Sequence, residues 1–162
     1  MRRLLIIPVV LLCQGLLCSG VTPQFSSVAP EFINPTGTYT LTGHVRRNHV
    51  VGHSGEIRVE LLDSGRIAIA CYFNRGYPNY EAGSIIDTLP YDENLARYHP
   101  SCDSTCTIIF RFYPRTVELM GLYDNPRASC GFATGVIAAA VYEKTSWDRP
   151  VIQDLSAHGN VH

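Results

Sequence analysis

The stretch EIRVELLDSGRIAIACYF, Glu56 to Phe73, decides the fold. Ile57, Val59 and Leu61 alternate with Arg58 and Glu60, and after Asp-Ser-Gly the residues Ile67, Ile69, Cys71 and Phe73 share one face of a second run. A period of two sends successive side chains to opposite faces of a strand. Two such runs joined by a turn signal predict a β-hairpin with one buried face.

Working outward from that hairpin, the same period recurs. TYTLTGHV (38–45) precedes it, and GSIIDTL (83–89) and NLARYH (94–99) follow, flanking the turn PYDE. TCTIIFRFYP (105–114) and TVELMGLY (116–123) flank Pro114, and TGVIAAAVYEK (134–144) closes the series. The three alanines of the last segment would allow a helix, but Val136, Ile137, Val141 and Tyr142 are strand formers and Gly135 breaks the run. About eight short strands without an amphipathic helix between them predict an all-β, antiparallel domain. Because the junctions suit hairpins, an up-and-down meander closing into a small barrel is preferred to a β-sandwich.

The ends differ in character. MRRLLIIPVVLLCQGLLCSG (1–20) has two arginines, an apolar run and small closing residues, the layout of a secretory signal peptide. Gln14 and Gly15 interrupt a run already short for a spanning helix. Leucines before Cys13 and Cys18 disfavour a lipidated cysteine, so a soluble exported protein, periplasmic or secreted, with no membrane span after removal of the signal, is expected. Residues 21–36 read as a Pro- and Ser-containing arm, 37–144 as the β-domain and 145–162 as a polar tail on the surface. Without Arg2 and Arg3 the remainder has a net charge of about −3 and no basic stripe, which argues against a nucleic-acid partner.

Four cysteines follow the leader: Cys71, Cys102, Cys106 and Cys130. In an oxidising compartment an even count predicts two disulfides, with three pairings open. A zinc site at these cysteines lacks a second close Cys/His pair, and no cofactor is expected. The segment GHVRRNHVVGHSGE (43–56) gathers His44, His49 and His53 beside Arg46 and Arg47. Its only carboxylate is Glu56, which leaves a metal site short of ligands, so a polar turn is expected. Ser54 lies in GHSGE, which is not the Gly-x-Ser-x-Gly of a nucleophile elbow and is followed by a strand where a helix is needed.

The loop NRGYPNYEAG (74–83) is the expected contact region. Tyr77 and Tyr80 are rigid amphipathic rings, Pro78 stiffens the loop, and Gly76 and Gly83 let it bend. The alternative is that a tyrosine plugs the barrel. Asp87 interrupts the strong strand formers of SIIDTL and should face solvent or bond a neighbouring backbone group; the alternative is a binding role, which makes it a candidate site residue. Phe132, in CGFATG, reads either as a contact residue or as a core plug.

The segments NRGYPNYEAGSIIDTLPY, ARYHPSCDSTCTIIFRF and SCGFATGVIAAAVYEK together resemble a set of small exported bacterial β-domain proteins. These share an Asn-x-Gly-x-Pro-x-Tyr loop, a Gly-Ser-x-Ile-Asp-Thr-Leu strand, a Cys-x-Ile-x-Phe strand and a closing Cys-Gly-Phe segment. Ala133 stands where that last segment often has glycine. The resemblance spans roughly residues 37–144 and implies a compact exported β-domain without a defined activity. It also implies a pairing: Cys106 and Cys130 match the family's two cysteines, leaving Cys71 for Cys102. A Cys106–Cys130 link closes about two dozen residues, worth roughly 3 kcal/mol in the chain-entropy model.

These readings converge on a non-enzymatic exported binding protein presenting loops to a protein or cell-envelope partner. By analogy of size and location, an inhibitor of a cell-wall hydrolase or an immunity protein fits. The competing expectation is a lipocalin-like carrier with a small-ligand pocket inside the barrel. Bulky Ile67, Ile69, Phe73, Ile108, Phe110 and Phe112 favour a filled interior.

Overall fold

The alternation in the sequence becomes ten strands in the computed structural model, which describes residues 31–63, 65–124 and 129–153. The signal peptide expected over 1–20, the first part of the arm and the end of the tail lie outside the described residues. The strands are β1 (Gly37–Leu41), β2 (His44–Arg46), β3 (His49–Val51), β4 (Ser54–Asp63) and β5 (Arg66–Asn74). They continue as β6 (Ala82–Asp92), β7 (Leu95–Tyr98), β8 (Cys106–Phe112), β9 (Thr116–Tyr123) and β10 (Ala140–Ser146). Eight of them form a closed antiparallel barrel in the order β1-β10-β9-β8-β7-β6-β5-β4, while β2 and β3 make a separate ribbon. Among the described residues no helix is long and apolar enough to cross a membrane.

The Glu56–Phe73 hairpin is β4 paired with β5, in register from Ser54↔Asn74 to Leu61↔Ile67. Its turn is tied by the Asp63 carboxylate, which accepts the Gly65 N–H at 3.0 Å and pairs with Arg66. Inward positions of both strands are sealed: Ile57, Val59, Ile67, Ile69 and Cys71 are fully buried. They meet Phe110, Phe112, Val117 and Leu119 from the opposite wall, with Tyr39 and Tyr142 between. Burying a side chain of this size contributes roughly 2 kcal/mol, so the filled interior is the main source of stability.

The last strand is shorter at its start than TGVIAAAVYEK suggested and longer at its end. Pairing begins at Ala140↔Leu119, and β10 runs on to Ser146, which lies opposite Thr38. Residues 134–139 instead form irregular backbone across the barrel mouth, with Val136 and Ile137 buried. The tail therefore starts at Trp147. Its described part runs along β4, where Arg149 binds Glu60 and Arg58 donates to the Val151 carbonyl at 3.4 Å.

The described part of the arm closes one end of the barrel. The Asn94 side chain accepts the Ile33 N–H and donates to the Glu31 carbonyl, both at 2.8 Å. Tyr91 donates to the Ile33 carbonyl at 2.7 Å and Tyr39 to the Pro35 carbonyl at 2.8 Å. Phe32 packs edge-on against Tyr91, 5.9 Å between centroids. Asn94 reaches the arm because Glu93 and Asn94 both have positive φ, 48° and 62°, as the two-residue turn between β6 and β7 requires.

Cys106 and Cys130 form a disulfide across 24 positions of sequence, as expected. The expected Cys71–Cys102 link is not formed: both cysteines are free. Strand parity explains it, because Cys71 points into the barrel, fully buried opposite Ile57 and Ile85, while Cys102 lies exposed in the loop before β8. Burial pushes the Cys71 thiol pKa well up, as an apolar interior does to any group that must ionise. The disulfide fits an oxidising compartment.

Two outcomes follow from this arrangement. Differential alkylation with peptide mapping should label Cys102 in the native protein, Cys71 only after unfolding, and Cys106 and Cys130 only after reduction; a Cys71–Cys102 peptide would contradict the barrel register. Burial also pushes the Tyr91 pKa up to about 12 from 10.0. A raised folded-state pKa contributes stability that is complete below pH 10.0 and is lost as pH rises toward about 12. Tyr91→Phe should cost roughly 1 kcal/mol at neutral pH through its lost hydrogen bonds and should lessen the alkaline loss, measured by urea unfolding at several pH values.

Candidate interaction surface

The barrel end opposite the arm carries the loops that sequence reading singled out. Between β1 and β4 the chain does not simply turn. It extends into the β2–β3 ribbon, with His44↔Val51, Val45↔Val50 and Arg46↔His49 as partners. The connecting pair Arg47-Asn48 has positive φ at both residues, 50° and 63°, the two-residue turn whose twist matches antiparallel strands. Arg46, Arg47 and His49 are thereby held out in solvent, and Val45 is three-quarters exposed.

The loop 74–83 lies against this ribbon. Tyr77 donates its N–H to the Val50 carbonyl at 2.8 Å, and Val51 and Tyr77 form an isolated bridge. Gly76 is required here: its φ is +76°, and a Cβ would stand 2.8 Å from the Val50 carbonyl oxygen and closer still to that of Gly52. The loop base is cross-tied by the Gly76 N–H to Asn74 Oδ1 at 2.6 Å and the Arg75 N–H to the Glu81 carbonyl at 2.9 Å. Arg75 also pairs with Glu81 and donates to the Thr134 carbonyl, each at 3.0 Å. The Tyr77–Pro78 peptide is cis, and Pro78 is exposed.

This scaffold sets three rings together. The His49 ring stacks on Tyr77 with centroids 4.5 Å apart, Tyr80 meets Tyr77 edge-on at 6.3 Å, and His49 Nδ1 lies 3.3 Å from the Tyr80 hydroxyl. Tyr77 and Tyr80 remain 49 % and 43 % exposed, so neither plugs the barrel. Arg46, Arg47, His49, Val51 and Tyr77 line an open groove of about 490 Å³. Neither arginine pairs with a carboxylate among the described residues, which leaves the groove positive.

The other expected site residues fall elsewhere. Phe132 packs over Gly83, where any Cβ would collide with its ring, and meets Phe73 edge-on at 6.4 Å. It is half-buried and covers the mouth of the core. Asp87 lies exposed in mid-β6, opposite Ile69, with its carboxylate accepting the Thr88 N–H at 2.7 Å. It is not part of the tyrosine face. Among the described residues no three metal-ligating side chains converge. The three histidines part company: His53 Nε2 lies 2.7 Å from the Gly135 carbonyl oxygen, whereas His49 belongs to the aromatic cluster.

Sequence reading treated the histidine-arginine turn and the tyrosine loop as separate features, and the barrel makes them one surface. The antiparallel β4–β5 register ends at Ser54↔Asn74, and beyond it the chain turns so that Val51 and Tyr77 meet in a parallel bridge, a contact that strand alternation does not announce.

The loops beside this face are anchored by Asp103. One carboxylate oxygen accepts the Thr105 hydroxyl at 2.6 Å and the Thr105 N–H at 3.1 Å. The other accepts the N–H groups of Ser129 and Cys130, at 3.3 and 3.1 Å. These bonds, the Thr105 hydroxyl first, hold the Asp103 pKa below the ordinary 3.8. No protein-family model, curated protein or solved structure matches this chain; the reading of the surface therefore rests on its geometry.

A depressed carboxyl pKa gives stabilisation that is present above pH 3.8 and lost as pH falls through the folded-state value. Hydrogen exchange at the Ser129 and Cys130 amides should accelerate across that acid window. Asp103→Asn should show faster exchange already at neutral pH and a smaller acid step, and unchanged protection would refute the anchor.

Proposed function

We propose that the protein is an exported, non-catalytic binding module that engages a protein partner, free or in the cell envelope, through the Tyr77–Tyr80–His49 face. The observation that carries this reading is a cluster of half-exposed aromatic rings on a backbone fixed by Tyr77 N–H to Val50 and by the close seat of Gly76. Rigid tyrosines supply contact area at low rotamer cost, and aromatic and arginine side chains dominate interface energetics. The unpaired Arg46 and Arg47 at its rim favour a partner with acidic groups, which they would steer and orient. An inhibitor of a cell-wall hydrolase or an immunity protein is the narrower form of this proposal. The interior packed with Tyr39, Phe73, Phe110 and Phe112 favours it over a carrier, which needs an open internal pocket.

The test is affinity capture from envelope and culture extracts, followed by calorimetry with the partner obtained. Tyr77→Ala or Tyr80→Ala should weaken binding at least about tenfold without shifting the melting curve, while Leu122→Ala, an exposed apolar change on β9, should have little effect. Normal binding by both tyrosine variants would remove this face from the proposal.

A further inference from the structure

Lys144 occupies an inward position of β10, in register with Tyr39, where its neighbour Tyr142 is core. Only 9 % of its surface is exposed. Its ammonium lies 5.2 Å from the centroid of the Tyr39 ring and 5.9 Å from that of Trp147, and among the described residues no carboxylate comes within ion-pair distance. No buried side-chain nitrogen or oxygen of the described residues lacks a hydrogen-bond partner. Lys144 makes no side-chain hydrogen bond among them, so its nitrogen must reach solvent. It does so through a groove of about 460 Å³ beside the arm, walled by Phe32, Pro114 and Trp147. Burial lowers the Lys144 pKa. A cation desolvated without a counter-ion is costly to a fold, and an apolar side chain of similar volume serves packing as well or better.

The other polar groups of the groove are mostly committed. Asn94 is bonded to Ile33, Tyr91 and Glu31, and Asn34 Oδ1 accepts the Thr36 N–H at 2.9 Å. Glu31 adds a carboxylate at the groove edge, which disfavours ligands with several negative charges. What remains is the Lys144 cation at the base of an apolar slot whose outer wall, Trp147, is 58 % exposed and also carries the Arg115 guanidinium 5.9 Å from its ring centroid, a second positive group at the rim. We propose that this groove, at the opposite end of the barrel from Tyr77, binds an apolar monocarboxylate, with the carboxylate on Lys144 and a flat hydrophobic body against Trp147 and Phe32. Ammonium and carboxylate form a charge-assisted contact in a partly desolvated site, where such contacts are strongest.

Two sources share this chemistry, a free organic acid and the C-terminus of a peptide ending in an apolar residue. Trp147 is the only tryptophan of the chain and reports occupancy by its emission. The protein should be titrated with 3-phenylpropionate and with N-acetyl-glycyl-phenylalanine, and with the amide of each. Saturable emission change with either acid, at least about tenfold weaker for its amide, is the expected result, and whichever acid binds tighter identifies the source. Lys144→Met should retain the fold, with equal or higher melting temperature, and lose the preference for acid over amide. If that variant does not fold, the acid–amide contrast in the unaltered protein decides alone. No saturation by either acid up to about 10 mM, a Kd scale below useful recognition, or equal binding of acid and amide, would overturn the proposal.

Discussion

The barrel depends on β1. This five-residue strand pairs on one edge with β4 and on the other with β10, and without it the sheet would present two open edges. An open edge exposes a row of unpaired backbone donors and acceptors, and closure removes it. β1 carries little apolar area of its own, so its place is secured by Tyr39, which is fully buried at its centre. The Tyr39 ring meets Phe112 edge-on at 5.9 Å, its hydroxyl donates to the Pro35 carbonyl, and Lys144 lies over its face. One side chain thus joins strand closure, core packing and the docking of the arm.

Closure also divides the molecule into two unlike ends. Successive turns alternate between the two barrel ends, those of β4–β5 and β6–β7 falling at the arm end and the β5–β6 loop at the other, so the chain's polar and aromatic loops sort into two groups. At one end Arg46, His49, Tyr77 and Tyr80 stand on a backbone locked to the ribbon; at the other, the arm and the start of the tail surround Lys144 and Trp147. The core between them is side chain throughout, which makes the barrel a rigid spacer. Loops carried on such a scaffold can be presented in a fixed geometry, and that lowers the entropic cost of recognition.

Much of this was legible in the sequence because period-two alternation speaks directly of faces. Ile57, Val59, Ile67, Ile69, Ile108, Phe110 and Phe112 all fall inward as the pattern required, and the Cys106–Cys130 link joins the residues expected. Three features were not legible, each for a physical reason. The inward parity that Cys71 shares with Ile69 stands in the pattern, but the exposed loop position of Cys102, which leaves both thiols free, does not, and the pairing implied by the resemblance missed it. Lys144 reads as the polar end of a strand, and only the return of β1 alongside β10 shows that its position is interior. The ribbon of β2 and β3 was hidden because Arg47-Asn48 lacks the glycine that usually marks such a turn, although asparagine tolerates the left-handed conformation.

The seam between β6 and β7 gives Asp87 its meaning. Those strands pair only at Tyr91↔Ala96 and Asp92↔Leu95, so among the described residues the Ala82–Pro90 stretch is hydrogen-bonded on the β5 side alone. Asp87 has the parity of the buried Ile85 and Leu89, yet it is exposed. A carboxylate at that point makes the strand a poor template: a second chain adding to it would have to desolvate the charge within the new sheet. Charge at an inward position of an edge is a known guard against self-association. The residue that breaks the apolar pattern of SIIDTL therefore stands where it opposes the addition of a further strand along Ala82–Pro90, the guard that a barrel with so short a seam needs.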